Sequence, residues 1–132
     1  DQIIEESKIN FEFVYEGKFS SLLLEADIVF TNSGLTKYEA LFLGIPTFAF
    51  SINSNHSEIM DIFQNKTESI KHVGNINSIE TIYISNQLND FMEDYNLRDD
   101  MSKRGKKLID GKGSERIIKK ILEKYKEKVY EK

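Results

Sequence analysis

The chain has 132 residues, and its 18 Lys and Arg against 22 Asp and Glu give a net charge of −4. This acidic balance argues against a nucleic-acid partner, and the absence of Cys excludes a disulfide scaffold, a thiol nucleophile and a Cys-based zinc site. Only two histidines are present, so we predict no metal centre and no cofactor. No apolar run approaches the ~20 residues that a membrane span needs, and we expect a cytoplasmic protein without an integral membrane segment.

Strand-like and helix-like segments alternate along the chain. Short runs of aromatic and β-branched residues predict strands at residues 11–15, 28–31, 47–50 and 70–73. Helical spacing predicts helices at residues 2–6, 20–26, 35–43, 57–65, 82–95, 98–109 and 114–130. Gly44 is placed to end the third of these helices. The alternation predicts a single α/β domain over residues 1–132, with a Rossmann-like parallel sheet and helices on both faces.

The turn after the second predicted strand is a candidate ligand site. In an open parallel sheet, ligands bind beyond the carboxyl ends of the strands, where helices begin. The turn Asn32-Ser33-Gly34 offers a glycine for close backbone approach, and the free amides of the next helix attract phosphate. A structural alternative is a capping box, with Thr36 as the N-cap and Glu39 reaching back to it. The residues alone leave both interpretations open.

Residues 25–47 resemble the C-terminal half of GT-B nucleotide-sugar enzymes. Their shared pattern is an Ala-Asp pair before an apolar strand, a glycine turn, a glutamate and a Leu-Gly-apolar-Pro segment. The corresponding residues here are Ala26, Asp27, Gly34, Glu39, Leu43, Gly44, Ile45 and Pro46. Within this group the chain most resembles the UDP-sugar hydrolase of pseudaminic acid biosynthesis and related spore-coat polysaccharide proteins. Residues 110–117 are similar to their Asp-Gly-x-Gly-x-x-Arg segment, and Asn55-His56 lies where they usually have Asn-Gln.

This resemblance implies that the chain binds a UDP-sugar. The glycine turn and the helix start would hold the diphosphate through backbone amides and hydroxyl groups, and Glu39 would bind the ribose hydroxyls. The implied nucleotide-binding residues are Asn32, Ser33, Gly34, Leu35, Thr36, Glu39, Asn55 and His56. For His56 the alternative is an exposed loop histidine, and His72 is predicted to be structural because it lies in a strand-like segment. Spacing suggests no acidic partner for either histidine, so no base–nucleophile pair is expected.

The resemblance also implies a longer, two-domain parent enzyme. Its catalytic histidine would lie in an N-terminal domain, and the chain, which starts at Asp1 within a helical pattern, is expected to be a truncated piece. We expect it to have no catalytic residues, to be inactive alone, and to have that missing domain as its partner. Two alternatives are a lipid-linked-sugar N-acetylglucosaminyl transferase domain and a non-catalytic interaction module on the same fold.

The C-terminal quarter differs in charge from the rest of the chain. Residues 98–132 hold 13 basic and 7 acidic groups, which we interpret mainly as a solvated helix face. The last helix carries an apolar stripe that predicts docking on the sheet, formed by Ile117, Ile118, Ile121, Leu122, Tyr125 and Val129. Residues 110–116 predict a helix–loop–helix connector, with Ser114 as the N-cap.

Overall fold

The computed structural model describes residues 12–15 and 19–130, with side chains as far as residue 126. The elements within these ranges are α1 Phe19–Glu25, β1 Val29–Asn32, α2 Thr36–Leu43, β2 Thr47–Ser51, α3 Ser54–Thr67, β3 Ile70–Asn75, a 3-10 turn Ile76–Ser78, α4 Thr81–Glu93, α5 Tyr95–Leu108 and α6 Gly113–Tyr130. None of the described helices is both long enough and apolar enough to cross a bilayer.

The three strands form one parallel sheet in the order β1-β2-β3. Val29 pairs with Thr47, and Thr47 pairs with Ile70, so the strands run in the same direction. The helices α2 and α3 are the crossover connections that parallel strands require. The predicted α/β class is therefore confirmed as a Rossmann-like parallel sheet flanked by helices. The ends of β1, β2 and β3 share one side of the sheet, called here the carboxyl edge.

Both faces of the sheet are covered by helices. Phe48 and Ala49 are successive, fully buried residues of β2, so their side chains point to opposite faces. Ala49 packs in a cluster with Leu41 of α2 and Met60 of α3. Phe48 packs against Phe91 of α4, with 5.5 Å between the ring centroids. Because each face of β2 has its own apolar layer, the strand reads as a continuous apolar run rather than an alternating one.

Local capping residues determine several helix boundaries. Gly44 ends α2 as predicted, at a φ of 75° that glycine adopts without steric cost. The helix α3 begins three residues before its predicted start, because the Asn53 carboxamide oxygen accepts the His56 amide at 2.9 Å. Asp94 separates α4 from α5 in a similar way, accepting the amide of Leu97 at 2.9 Å.

The strand predicted at residues 11–15 is wrong where the structure describes it. Residues 12–15 form no regular structure, and Phe13 and Tyr15 are exposed. A strand with alternating apolar residues needs a neighbouring strand and a core to cover it. In the described sheet no strand lies before β1, so residues 12–15 have no partner there. The helix predicted at residues 2–6 lies outside the described residues.

The predicted docking of the last helix on the sheet is also wrong for the side chains that the structure describes. The apolar stripe of α6 is exposed to between 55% and 67%, at Ile117, Ile118, Ile121, Leu122 and Tyr125. The connector before it turns at Gly111, which has a φ of 72°. Helical spacing of apolar residues identified the stripe, but it does not determine which surface covers it.

Candidate functional site

The turn after β1 lies at the carboxyl edge and is held by its own side chains. The Asn32 carboxamide oxygen accepts the Gly34 amide at 3.0 Å. A Cβ atom on residue 34 would lie 2.8 Å from that oxygen, closer than carbon and oxygen approach without a shift of the turn. Glycine at this position therefore permits the tight turn, as the sequence predicts.

The capping box predicted at Thr36 and Glu39 does not form. Thr36 is the first residue of α2, Leu35 occupies the N-cap position, and no side chain makes a cap hydrogen bond. The first backbone bonds of the helix run from the Tyr38 and Glu39 amides to the Leu35 carbonyl, at 2.9 and 3.4 Å. The preceding backbone amides, at the start of α2, have no partner within the helix. Such amides attract an anion.

The Ser33 hydroxyl points into the protein rather than toward a ligand. Its Oγ donates to the Phe50 carbonyl oxygen at 3.0 Å and lies 3.1 Å from the Ser51 Oγ. These contacts tie the turn after β1 to the end of β2. The hydroxyl could donate to a phosphate only by leaving the Phe50 carbonyl, so the backbone of the turn is the better candidate ligand.

A chain of hydrogen bonds continues from Ser51 across the sheet. Ser51 Oγ lies 2.8 Å from His72 Nε2, and His72 Nδ1 lies 2.7 Å from an Asp61 carboxylate oxygen. The side chain of His72 is fully buried, whereas that of Asp61 is 58% exposed. The order serine, histidine, aspartate resembles that of a hydrolytic triad. However, Ser51 is fully buried and bonded to Ser33, so its hydroxyl is not an accessible nucleophile.

The acidic partner of His72 could not be found from the sequence. Asp61 lies 11 positions earlier, on α3, and the crossover from α3 to β3 brings the two residues together. The expectation that neither histidine has an acidic partner is therefore wrong for His72. Its predicted structural role fits its burial and its backbone amide, which donates to the Gln64 side-chain oxygen at 2.5 Å.

Lys37 is a site residue that the sequence did not reveal. It is only 5% exposed, and its Nζ donates to the carbonyl oxygens of Ser33 at 2.6 Å and Gly34 at 3.1 Å. The ammonium also lies 4.1 Å from the ring centroid of Tyr38. Burial lowers the pKa of Lys37 below its usual value. A useful signal was its position, three residues before the core residue Ala40, which places it on the same helix face.

The candidate residues divide between two neighbouring pockets. The smaller, of about 200 Å³, is called here the lysine pocket and is lined by Ser33, Lys37, Tyr38, His56, Ile59, Met60 and Phe63. The larger, of about 680 Å³, is called here the apolar groove and is lined by Phe19, Ser20, Leu23, Tyr38, Glu39, Phe42, Leu43, Ile109 and Gly111. Ser33 and His56 both line the lysine pocket, whereas Glu39 lines the apolar groove and Tyr38 lines both.

The remaining predicted site residues, Asn32, Gly34, Leu35, Thr36 and Asn55, line neither pocket. Leu35 is 78% exposed, Asn32 and Asn55 are exposed, and Thr36 is partly buried. Within the ranges that the structure describes, no group of three His, Asp or Glu residues could hold a metal ion.

The segment after α5 packs against the apolar groove. Asp110 accepts the Lys112 amide at 3.0 Å and pairs with Arg116 at 2.6 Å, so that Arg116 holds the pKa of Asp110 below its usual value. A Cβ atom on Gly111 would lie 2.9 Å from the Phe42 ring. The predicted connector is therefore present, but α6 begins at Gly113, one residue before the predicted cap Ser114.

The fold and the site define an α/β protein with a Rossmann-like sheet and a glycine turn at its carboxyl edge. The chain is similar to the spore coat polysaccharide biosynthesis protein SpsG of Bacillus subtilis (strain 168), with 25% identity over 111 residues. The matched region is 83% of this chain but 32% of SpsG, so the chain spans about a third of the relative's length. No protein-family model matches the chain, and no solved structure matches it significantly.

Proposed function

We propose that this chain is the nucleotide-binding domain of a GT-B-like nucleotide-sugar enzyme that acts in surface polysaccharide biosynthesis. The observation that carries the proposal is the glycine turn at Gly34, held by the Asn32 side chain, which opens α2 at the carboxyl edge. The first amides of α2 have no side-chain cap. The similarity to SpsG supports the biosynthetic context. The length of SpsG supports a second domain in the whole protein, which would supply the catalytic groups of a UDP-sugar hydrolase or a glycosyltransferase.

The two pockets suit the two halves of a nucleoside diphosphate. The apolar groove has a volume of about 680 Å³ and aromatic walls at Phe19 and Phe42, features typical of sites for flat organic ligands. Glu39 lines this groove and is free of any capping role, so its carboxylate can accept the ribose hydroxyls. The amides of Leu35 and Thr36 would face the diphosphate, with Asn32, Asn55 and His56 at the rim, while the Gly34 amide stays bonded to Asn32.

Titration of the 132-residue chain with UDP, followed through backbone amide signals, tests this proposal. We expect shifts at residues 33–39 and at His56, in the turn and the lysine pocket. An absence of shifts in these residues at millimolar UDP would contradict the proposal.

Substitution of Glu39 separates the ligand role from helix stability. Glu39→Ala should weaken UDP binding about tenfold or more, because hydrogen bonds to a charged group contribute about 1.5–3 kcal/mol. Glu115→Ala is the matched control, since Glu115 is also an exposed glutamate in the first turn of a helix. Both variants should lose at most about 1 kcal/mol of stability through the helix dipole. Equal UDP affinities in the two variants would remove the ribose role of Glu39.

A non-catalytic interaction module remains the second candidate, and the exposed apolar stripe of α6 favours it. This candidate predicts no UDP binding and measurable self-association of the chain. Sedimentation of the chain with and without UDP distinguishes the two functions.

A further inference from the structure

Lys37 carries a buried positive charge without an acidic partner in the part of the chain that the structure describes. The ion pairs within those ranges involve other residues, and the ammonium of Lys37 donates only to the Ser33 and Gly34 carbonyl oxygens. An ammonium has three protons, and two of them are accounted for by these bonds. Among the described residues the ammonium has no third hydrogen-bond acceptor, and it lies 4.1 Å from the centroid of the Tyr38 ring, which also lines the lysine pocket.

Two physical effects oppose a charge at this position. Burial removes the ammonium from water, which is unfavourable unless the charge is paired. Lys37 is also the second residue of α2, and the N-terminal end of a helix carries positive partial charge that disfavours a cation. The turn carbonyls and the Tyr38 ring, whose centroid lies 4.1 Å from the ammonium, counteract both effects without supplying a negative charge. Charged side chains kept in such unfavourable surroundings are concentrated at functional sites.

We propose that the lysine pocket binds a phosphate group, with the Lys37 ammonium as its charge partner. This inference rests on the proposed function and assigns the phosphate to the bound nucleoside diphosphate. A pocket of about 200 Å³ is smaller than the roughly 300–1,000 Å³ of sites for whole organic ligands, and it suits a phosphate better than a nucleoside. The adjoining apolar groove, which shares Tyr38, is then left for the nucleoside.

Substitution of Lys37 with methionine keeps an unbranched side chain that is one atom shorter, and it removes the charge. In the wild-type chain we expect UDP to bind more tightly than uridine, because uridine lacks the phosphates. Lys37→Met should weaken UDP binding about tenfold or more, as expected for loss of a charge-assisted hydrogen bond, and should leave uridine binding unchanged. Lys66→Met, at an exposed position of α3, is the control and should leave both affinities unchanged.

Stability provides a readout that distinguishes a ligand role from a structural one. Because the folded state holds the pKa of Lys37 below its ordinary value, the charged form disfavours folding at neutral pH. This penalty disappears as the pH rises through the lowered pKa toward 10.5. The difference in free energy of unfolding between the wild type and Lys37→Met should therefore shift in favour of the wild type as the pH rises from 7 to alkaline values.

Lys37→Gln keeps a hydrogen-bond donor for the turn carbonyls but carries no charge. It therefore separates the effect of the hydrogen bonds to the turn from the effect of the positive charge. Restored UDP affinity in Lys37→Gln, or an unchanged ratio of UDP to uridine affinity in Lys37→Met, would overturn the phosphate role of Lys37 while leaving the proposed function intact. Inorganic pyrophosphate tests the pocket separately from the nucleoside. Pyrophosphate binding that is lost in Lys37→Met, with no UDP binding, supports the pocket and overturns the proposed function. Failure of the wild type to bind either ligand overturns both.

Discussion

Replacement of Ser51 by alanine tests whether the hydrogen-bond chain behind the turn stabilises the protein. Ser51 Oγ bridges Ser33, at 3.1 Å, and His72, at 2.8 Å. The variant keeps the hydrogen bond from Ser33 to the Phe50 carbonyl, so the Ser33 hydroxyl still has a partner. The Nε2 atom of His72 loses its partner inside a fully buried side chain, and it has no access to water.

The expected change in the free energy of unfolding follows from the loss of the hydrogen-bond partner of His72 Nε2. Leaving a buried polar atom without its partner costs about 1–3 kcal/mol, and the loss of the Ser33 contact adds to this cost. We therefore expect Ser51→Ala to lower the free energy of unfolding by about 1.5–3 kcal/mol. Asp61→Asn should have a smaller effect, because the amide oxygen can still accept from His72 Nδ1 and Asp61 is 58% exposed.

Equilibrium urea unfolding measures this difference as a change of midpoint at constant slope. Ser85→Ala is the matched control, since it makes the same chemical change at an exposed position of α4 and should stay within about 0.5 kcal/mol of the wild type. Equal stabilities of Ser51→Ala and Ser85→Ala would refute the reasoning. The amide signals of Ser33 and Gly34 should also move in Ser51→Ala, because the hydroxyl contact positions the turn.

Three further predictions concern the ion pair at Asp110 and one apolar residue in each of α4 and α6. Arg116 lowers the pKa of Asp110 below 3.8, so the pair stabilises the fold above about pH 3.9, and its contribution is lost as the pH falls through the lowered value. In Arg116→Ala the NMR titration midpoint of Asp110 should rise, and an unchanged midpoint would exclude the ion pair in solution. In urea unfolding, Phe91→Ala should lose about 3–5 kcal/mol, because Phe91 is 2% exposed. Ile121→Ala should lose less than about 0.5 kcal/mol, because Ile121 is 62% exposed, and a larger loss would mean that α6 packs against another surface.

The elements that the sequence predicted well are those with strong local signals. The strand predicted at residues 47–50 is observed as β2 Thr47–Ser51, because a run of apolar residues suits a strand buried on both faces. Gly44 ends α2 since a left-handed residue after a helix favours glycine over any other residue. The turn at Gly34 follows from a similar local rule, in which Asn32 bonds to the amide two residues on.

The errors occurred where a distant partner decides the outcome. The apolar pattern of α6 is present as predicted, but its burial depends on a surface that the described residues do not supply. The capping box had the right residues in the right order, yet α2 starts with Leu35 at the N-cap position. The strand pattern near Phe13 likewise has no described neighbour with which to pair.

By itself the sequence determined the alternating strands and helices, the parallel α/β class and the position of the turn at the carboxyl edge, because each depends on backbone preferences within a few residues. Only the tertiary structure decided the contents of the candidate site. Asp61 and His72 come from different elements, and Lys37 is buried because α2 packs its charged side chain beneath the turn. Side-chain contacts across crossover connections depend on packing and strand register, which a local pattern does not specify.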